Sequence, residues 1–213
     1  MFVGHFGVAN ALLAAFPRVP PLVAYTGVSF PDLLWGALVL AGVEHVAIDP
    51  DSPDQTRTVF LSYPYSHSLV LTNLLALLAA AGAAALAHSL AAGAVFLAGS
   101  VSHWLLDAVV HLGDLPVLGF ARERDRRVGL GLWRRPAVAF VLEFLVYAVP
   151  TALVFPWRRA FPLLIVGAAF HLLNANAFFG LTRRNPTGTP RRFAGLVLFG
   201  FFALGWVLQG AVR

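Results

Sequence analysis

The run LAAGAVFLAGSVSHWLLDAVVHL, residues 90–112, is apolar for long enough to cross a bilayer, yet it carries His103, Asp107 and His111. Steps of four residues, at ~100° each, set these three side chains along one slowly drifting stripe of a helix. Ionisable groups at membrane depth are costly and face a bundle interior, a cavity or one another. The run therefore implies a chain built from membrane helices in which one helix face is polar for a reason.

The remaining composition agrees. Of 213 residues, 59% are hydrophobic and 12% charged, against roughly 25% charged in a soluble domain. Too little polar surface is left for a water-soluble globule. Seven apolar segments can be marked, roughly 2–16, 20–43, 65–87, 90–112, 136–156, 160–180 and 193–211. They predict an all-α, polytopic transmembrane helix bundle of about six to seven membrane segments, some short or broken, forming one integral membrane domain over 1–213. The first segment has no positively charged n-region, so it is expected to be retained rather than cleaved as a signal peptide. The second is interrupted by Gly27, Ser29, Pro31 and Asp32. Ser29 reads as the cap of a new helix with Pro31 in its first turn. Residues 20–28 are thus expected to be irregular or half-helical, and 30–43 regular helix. There is no Cys, which excludes disulfides and thiolate metal sites. No internal repeat is evident, which weighs against an inverted-repeat transporter.

The net charge lies almost wholly in the loops. Residues 44–64 are acidic, with Glu44, Asp49, Asp51 and Asp54 against Arg57. Residues 113–135 hold Arg122, Arg124, Arg126, Arg127, Arg134 and Arg135, and residues 181–192 hold Arg183, Arg184, Arg191 and Arg192. If all seven segments cross, these three loops share a face with the N-terminus. Counting Arg, that face is expected to be cytoplasmic. The net charge of +5 then speaks to anionic lipid headgroups rather than to nucleic acid.

On this topology six ionisable residues fall in one half of the bilayer. His5 opens the first segment and His67 opens the third. His103, Asp107 and His111 close the fourth, and Asp32 lies ~17 Å from the end of the second. Histidine and carboxylate together suit Zn²⁺, with Mn²⁺ or Fe²⁺ as alternatives. His103 and Asp107 are one turn apart, ~6 Å along the axis, and can share an ion, as can Asp107 and His111. His103 and His111 are ~12 Å apart on an ideal helix, so either Asp107 bridges two ions or one His ligates and the other supports it. Either one or two ions is expected. Glu143, His171 and Asn174 fall at similar depth and read as substrate contacts or as mutual hydrogen-bond partners. Arg122, at the start of a basic run, is expected to meet an anionic headgroup. His45 and His88 read as packing residues.

The motifs, in order, are Gly4-His5, Pro31-Asp32, Ser66-His67-Ser68 and Ser102-His103 through Asp107. This order resembles the YdjM-like family of bacterial inner-membrane proteins described as membrane-bound, metal-dependent hydrolases. The resemblance covers roughly residues 1–135; residues 136–213 are less diagnostic. It implies that His5, Asp32, His67, His103 and Asp107 belong to a metal site, in a bacterial inner membrane. The sequence departs from the family pattern at Leu34, where a second Asp is common, and at Ser62-Tyr63-Pro64, where His-Arg-Gly is common. His111 reads as a partial replacement, either a ligand or a catalytic proton acceptor beside Asp107.

The leading expectation is a membrane-embedded metal-dependent hydrolase acting on a lipid or lipid-linked (phospho)ester from the cytoplasmic side. Two alternatives stand beside it. A divalent-metal or proton transporter requires polar residues that continue to the opposite face. A non-catalytic scaffold requires a structural metal.

Overall fold

The computed structural model describes all residues except 53, 55–57, 121–123 and 213. The described residues are mostly helical. Their helices are α1 (Val3–Ala15), α2 (Pro21–Leu40), α3 (Pro64–His67), α4 (Leu71–Leu86), α5 (Leu90–Val110), α6 (Pro136–Val154), α7 (Trp157–Leu173), α8 (Ala175–Phe179) and α9 (Pro190–Val212). Every apolar segment marked in the sequence holds a helix. Four of them, α2, α5, α6 and α9, are long and apolar enough to cross a membrane. The apolar helices α1 and α4 are shorter, at 13 and 16 residues. Outward faces carry large apolar side chains, among them Leu78, Leu153, Leu172 and Phe202, as lipid contact requires.

Local chemistry explains most boundaries. Proline opens α2, α3 and α6, where its missing N–H costs nothing. Ser89 caps α5 by accepting from the Ala92 N–H at 3.3 Å. Gly42, with φ +74°, takes the chain out of α2. The third segment divides at Ser68, whose backbone is extended, into α3 and α4. The sixth divides at Asn174 into α7 and α8. The connections add two antiparallel ribbons, β1 (His45–Ala47) with β2 (Val59–Ser62) and β3 (Leu115–Pro116) with β4 (Arg127–Val128). His45 and His88 are exposed in these connections, so neither is a packing residue.

The second segment corrects the sequence reading. α2 runs unbroken from Pro21 to Leu40 with Pro31 inside it, and Ser29 caps nothing; among the described residues its buried hydroxyl has no hydrogen-bond partner. Proline lacks the N–H that the Gly27 carbonyl would otherwise receive. The backbone is held through this defect by close packing on α5. A Cβ at Gly27 would lie 2.6 Å from the Phe96 carbonyl, and one at Gly99 would lie 2.8 Å from the Val28 nitrogen. Two glycines thus bring the helix backbones into contact, and this packing overrides the local preference for a break.

α2 packs on both α5 and α9, α1 packs on α6, and α4 packs on α5. The largest apolar core joins α1, α2, α5, α6, α7 and α9 around Phe6, Tyr25, Leu163 and Leu204. Trp35, Tyr63, Trp104 and Leu115 form a second core under the two ribbons. This layout gathers the first turn of α1, the later half of α2, the end of α3 and the end of α5 at one end of the bundle.

Candidate metal centre

Each candidate ligand is placed by a distinct local device. On α5, His103 and Asp107 are one turn apart and face inward, both buried. The His103 ring is fixed by its Nδ1, which lies 2.7 Å from the carbonyl of Val28, in the turn of α2 that precedes Pro31. Asp32 follows that proline. His67 ends α3, and its Nδ1 lies 2.9 Å from the hydroxyl of Ser66. That hydroxyl donates to Glu44 Oε2 at 2.5 Å. Glu44 Oε1 also accepts from the backbone N–H groups of Tyr65 and Ser66, at 2.8 and 3.0 Å. Glu44, from the acidic loop, therefore fixes the whole α3 turn. His5 stands in the first turns of α1, with its ring stacked on that of His103 at 3.7 Å and 7°. α1 in turn is seated by Glu143, whose Oε1 accepts from the Phe2 and Val3 N–H groups at 2.9 Å each. The α-amino group of Met1 bonds to Asp107 Oδ1.

The Nε2 atoms converge on two carboxylates. His5 Nε2 is 3.3 Å from Asp107 Oδ1, and His103 Nε2 is 3.2 Å from Asp107 Oδ2. His67 Nε2 is 3.5 Å from Asp32 Oδ1 and 3.7 Å from Asp107 Oδ2. His103 Nε2 is also 3.5 Å from Asp32 Oδ2. These spacings are at or beyond the long end of a hydrogen bond, and among the described residues both ring nitrogens of His5 and Nε2 of His103 have no hydrogen-bond partner. Orphaned polar atoms this deeply buried are costly. An ion with bonds of ~2.0–2.2 Å sets neighbouring ligand atoms ~3.0–3.6 Å apart, which matches the observed spacing. His5, His103 and Asp107 form one set able to hold a metal, and Asp32, His67 and His103 form another. His103 Nε2 has one lone pair and serves one ion. The two sets are therefore either one ion with a choice of ligands or two ions that divide them.

His111 belongs to neither set. α5 ends at Val110, and His111 leaves the helix with φ −59° and ψ 151°, so the ideal helix rise no longer governs its position. Its Nε2 lies 3.7 Å from Asp107 Oδ2, and its Nδ1 lies 3.1 Å from Asp114 Oδ1. Tyr63 donates to the other Asp114 oxygen at 2.9 Å. Burial pushes the Asp114 carboxyl up, but the partners His111 and Tyr63 outweigh this and hold it below its ordinary range. For Glu44 burial prevails, and its carboxyl is pushed up in spite of the Ser66 and Tyr65 donors.

A cavity of about 280 Å³ rises from this floor. Asp32, His67, Asp107 and His111 line its base; Trp35, Phe60, Trp133, Phe170 and Phe201 are among its walls; Asn174, Asn176 and Asn185 lie among its polar lining. Of the expected substrate contacts, Asn174 lines this cavity and Glu143 and His171 do not. Glu143 is buried under the start of α1, 4.0 Å from His171 Nδ1. His171 stacks on Phe140 at 3.9 Å, with Nε2 3.0 Å from the Phe140 carbonyl. Arg122 lies outside the described residues.

Sequence reasoning missed Glu44, Ser66, Tyr63 and Asp114 as supports of the site. Ser66 and Asp114 are near a candidate ligand in sequence, one and three residues away, which is the only signal available. No protein family matches the chain, and neither does any curated protein or solved structure.

Proposed function

We propose that this chain is a membrane-embedded, metal-dependent hydrolase acting on a lipid or lipid-linked phosphoester from the cytoplasmic side of a bacterial inner membrane. The resemblance to the YdjM-like family belongs to this proposal. One observation carries it: buried imidazole nitrogens without partners face two carboxylates at the floor of an apolar-walled cavity. His5, Asp32, His67, His103 and Asp107 hold the ion, with Zn²⁺ favoured and Mn²⁺ or Fe²⁺ as alternatives. A divalent ion there supplies Lewis-acid polarisation of the ester's phosphoryl oxygen.

The protein's own groups do the rest. With Nδ1–H directed to Asp114, His111 keeps Nε2 free toward the cavity to accept a proton from the attacking water. Asp114 and Tyr63 hold the ring in that orientation. Glu44 and Ser66 hold His67, and the Val28 carbonyl holds His103, as outer partners of metal-binding histidines usually do. The apolar walls keep bulk water from the floor, which strengthens every charge interaction there. Arg-rich loops at this end support cytoplasmic placement.

A transporter needs polar groups that lead onward to the opposite face. Beyond the site the buried polar groups Asn10, Tyr25 and Thr151 are tied to one another by hydrogen bonds of 2.7 and 2.8 Å, which favours a one-sided site. The test is metal analysis of detergent-purified protein beside a His103→Ala/Asp107→Ala variant. Bound divalent metal in the wild type and background levels in the variant are expected. Equal and negligible metal in both sinks the proposal.

A further inference from the structure

Three features of the cavity bear on what it admits. Its side between the end of α7 and the start of α9 is built from Phe170, Leu173, Leu196, Phe199 and Gly200. Of these, Leu173, Leu196 and Phe199 are 80%, 54% and 69% exposed. The same side chains thus line the cavity and face outward, where the apolar surfaces of α7 and α9 meet lipid. The second feature is size: about 280 Å³ is at the small end for a ligand cavity, where drug-sized ligands take roughly 300–1,000 Å³. It accommodates a headgroup and the first part of one chain. The third is charge. Arg183, Arg184, Arg191 and Arg192 are exposed on the segment that leads into α9, whose Asn185, Pro186 and Thr187 line the cavity. That segment is held down at Asn185, whose N–H donates to the Pro50 carbonyl at 2.8 Å and whose side chain donates to the Ser52 carbonyl at 3.1 Å.

We infer that the substrate is an anionic phospholipid-type amphiphile, drawn sideways from the bilayer, with one hydrocarbon chain threaded between α7 and α9. The arginines gather its phosphate at the headgroup level. The chain stays in contact with lipid through the α7–α9 gap while the phosphate reaches the floor. The chain passes from lipid into an apolar gap, so the amphiphile never has to enter water. This inference rests on the proposed hydrolase for what happens at the floor, but the opening is read from its own residues.

Gly200 is the residue at which the gap can be closed. A Cβ there would meet Phe2 at 3.4 Å, an ordinary contact, so the helix accepts a side chain while a longer one fills the opening. The full chain is reconstituted in phosphatidylcholine vesicles with hexadecyl phosphate bearing a mid-chain diazirine, then irradiated and mapped by mass spectrometry. Label is expected on 170–173 and 196–200. Unlabelled hexadecyl phosphate should displace it and inorganic phosphate should not. Gly200→Leu should lose the label with metal content unchanged. If Gly200→Leu disturbs metal content, Leu173→Glu, at a position 80% exposed, serves instead and should likewise lose the label. Label spread evenly over the outer faces of α4 and α6, displacement by inorganic phosphate, or label indifferent to whichever variant keeps its metal overturns the inference. Labelling needs no turnover. A protein labelled in the gap but free of metal therefore sinks the hydrolase reading alone, and a metal-loaded protein labelled elsewhere sinks this inference alone.

Discussion

Two buried polar clusters lie in the same bundle, and they are built on opposite principles. In one, Tyr25 donates to Asn10, Asn10 donates to Thr151, and Thr151 donates to the Tyr147 carbonyl, over 2.8, 2.7 and 2.6 Å; Tyr147 closes the series on the Leu163 carbonyl at 2.5 Å. Each hydroxyl and amide there has a partner. Such a network ties α1, α2, α6 and α7 together and asks for nothing more. In the other, His5 and His103 stack, and among the described residues neither ring nitrogen of His5 nor Nε2 of His103 has a hydrogen-bond partner; the Nε2 atoms face carboxylates at 3.2–3.5 Å. Burial alone does not separate structure from site, since Asn10 and Thr151 are as buried as His5 and His103. Satisfaction does: the first is complete as protein, and the second leaves unpartnered nitrogens grouped with carboxylates that could hold an ion.

The largest expected effect follows at Asp107, which faces the Nε2 atoms of His5, His67, His103 and His111. Asp107→Ala should weaken metal binding by more than about 100-fold, beyond ~2.7 kcal/mol, as read by competition with a chromogenic chelator. Wild-type affinity in this variant would place the ion elsewhere and collapse the contrast. Next comes the satisfied cluster. Asn10→Leu strands the Tyr25 hydroxyl in an apolar core, while Thr151 keeps its bond to the Tyr147 carbonyl, and should cost about 1–3 kcal/mol of stability, as read by denaturant unfolding in micelles. Its metal affinity should match wild type. A loss of metal in Asn10→Leu would show that the two clusters act as one.

The candidate ligands were legible in sequence because a charge in an apolar helix is conspicuous. His103 and Asp107 announce themselves within 90–112, and Asp32 within 20–43. Their supports were not legible, for the complementary reason. Glu44, Tyr63 and Asp114 sit in connections where polar residues are ordinary, and only the fold brings Glu44 beneath Ser66, 22 residues later in the chain. Glu143 was noticed for its depth, but its task of seating the first turn of α1 depends on α1 packing against α6. α2 was expected to break because Pro31 and Ser29 argue locally for a break; the glycine contacts that pack it against α5 are visible only in three dimensions. Likewise the less diagnostic helices supply the cavity wall. Leu196 and Phe199 on α9 differ from lipid-facing residues in position and not in kind.

Smaller effects sharpen the contrast further. Ser66→Ala removes the hydroxyl that links His67 to Glu44. It should lower metal affinity by about tenfold, the low end for loss of an outer partner, while Ser66→Thr, which keeps the hydroxyl, should recover most of it. If alanine and threonine behave alike, the link does not orient His67.

The smallest change is expected from His5→Phe with the metal stripped by chelator. Phenylalanine keeps a ring to stack on His103 and discards two ring nitrogens that have no hydrogen-bond partner. Removing an unsatisfied buried polar group is close to neutral or favourable for folding. Metal-free stability should therefore stay within ~1 kcal/mol of wild type or rise, by the same micellar unfolding measurement, even as metal affinity falls. If the histidine cluster were instead an ion-pair network holding the fold, losing one member would leave Asp107 buried with a partner missing, and stability should drop by about 3–5 kcal/mol. A drop of that size would make both clusters structural and erase the distinction between them.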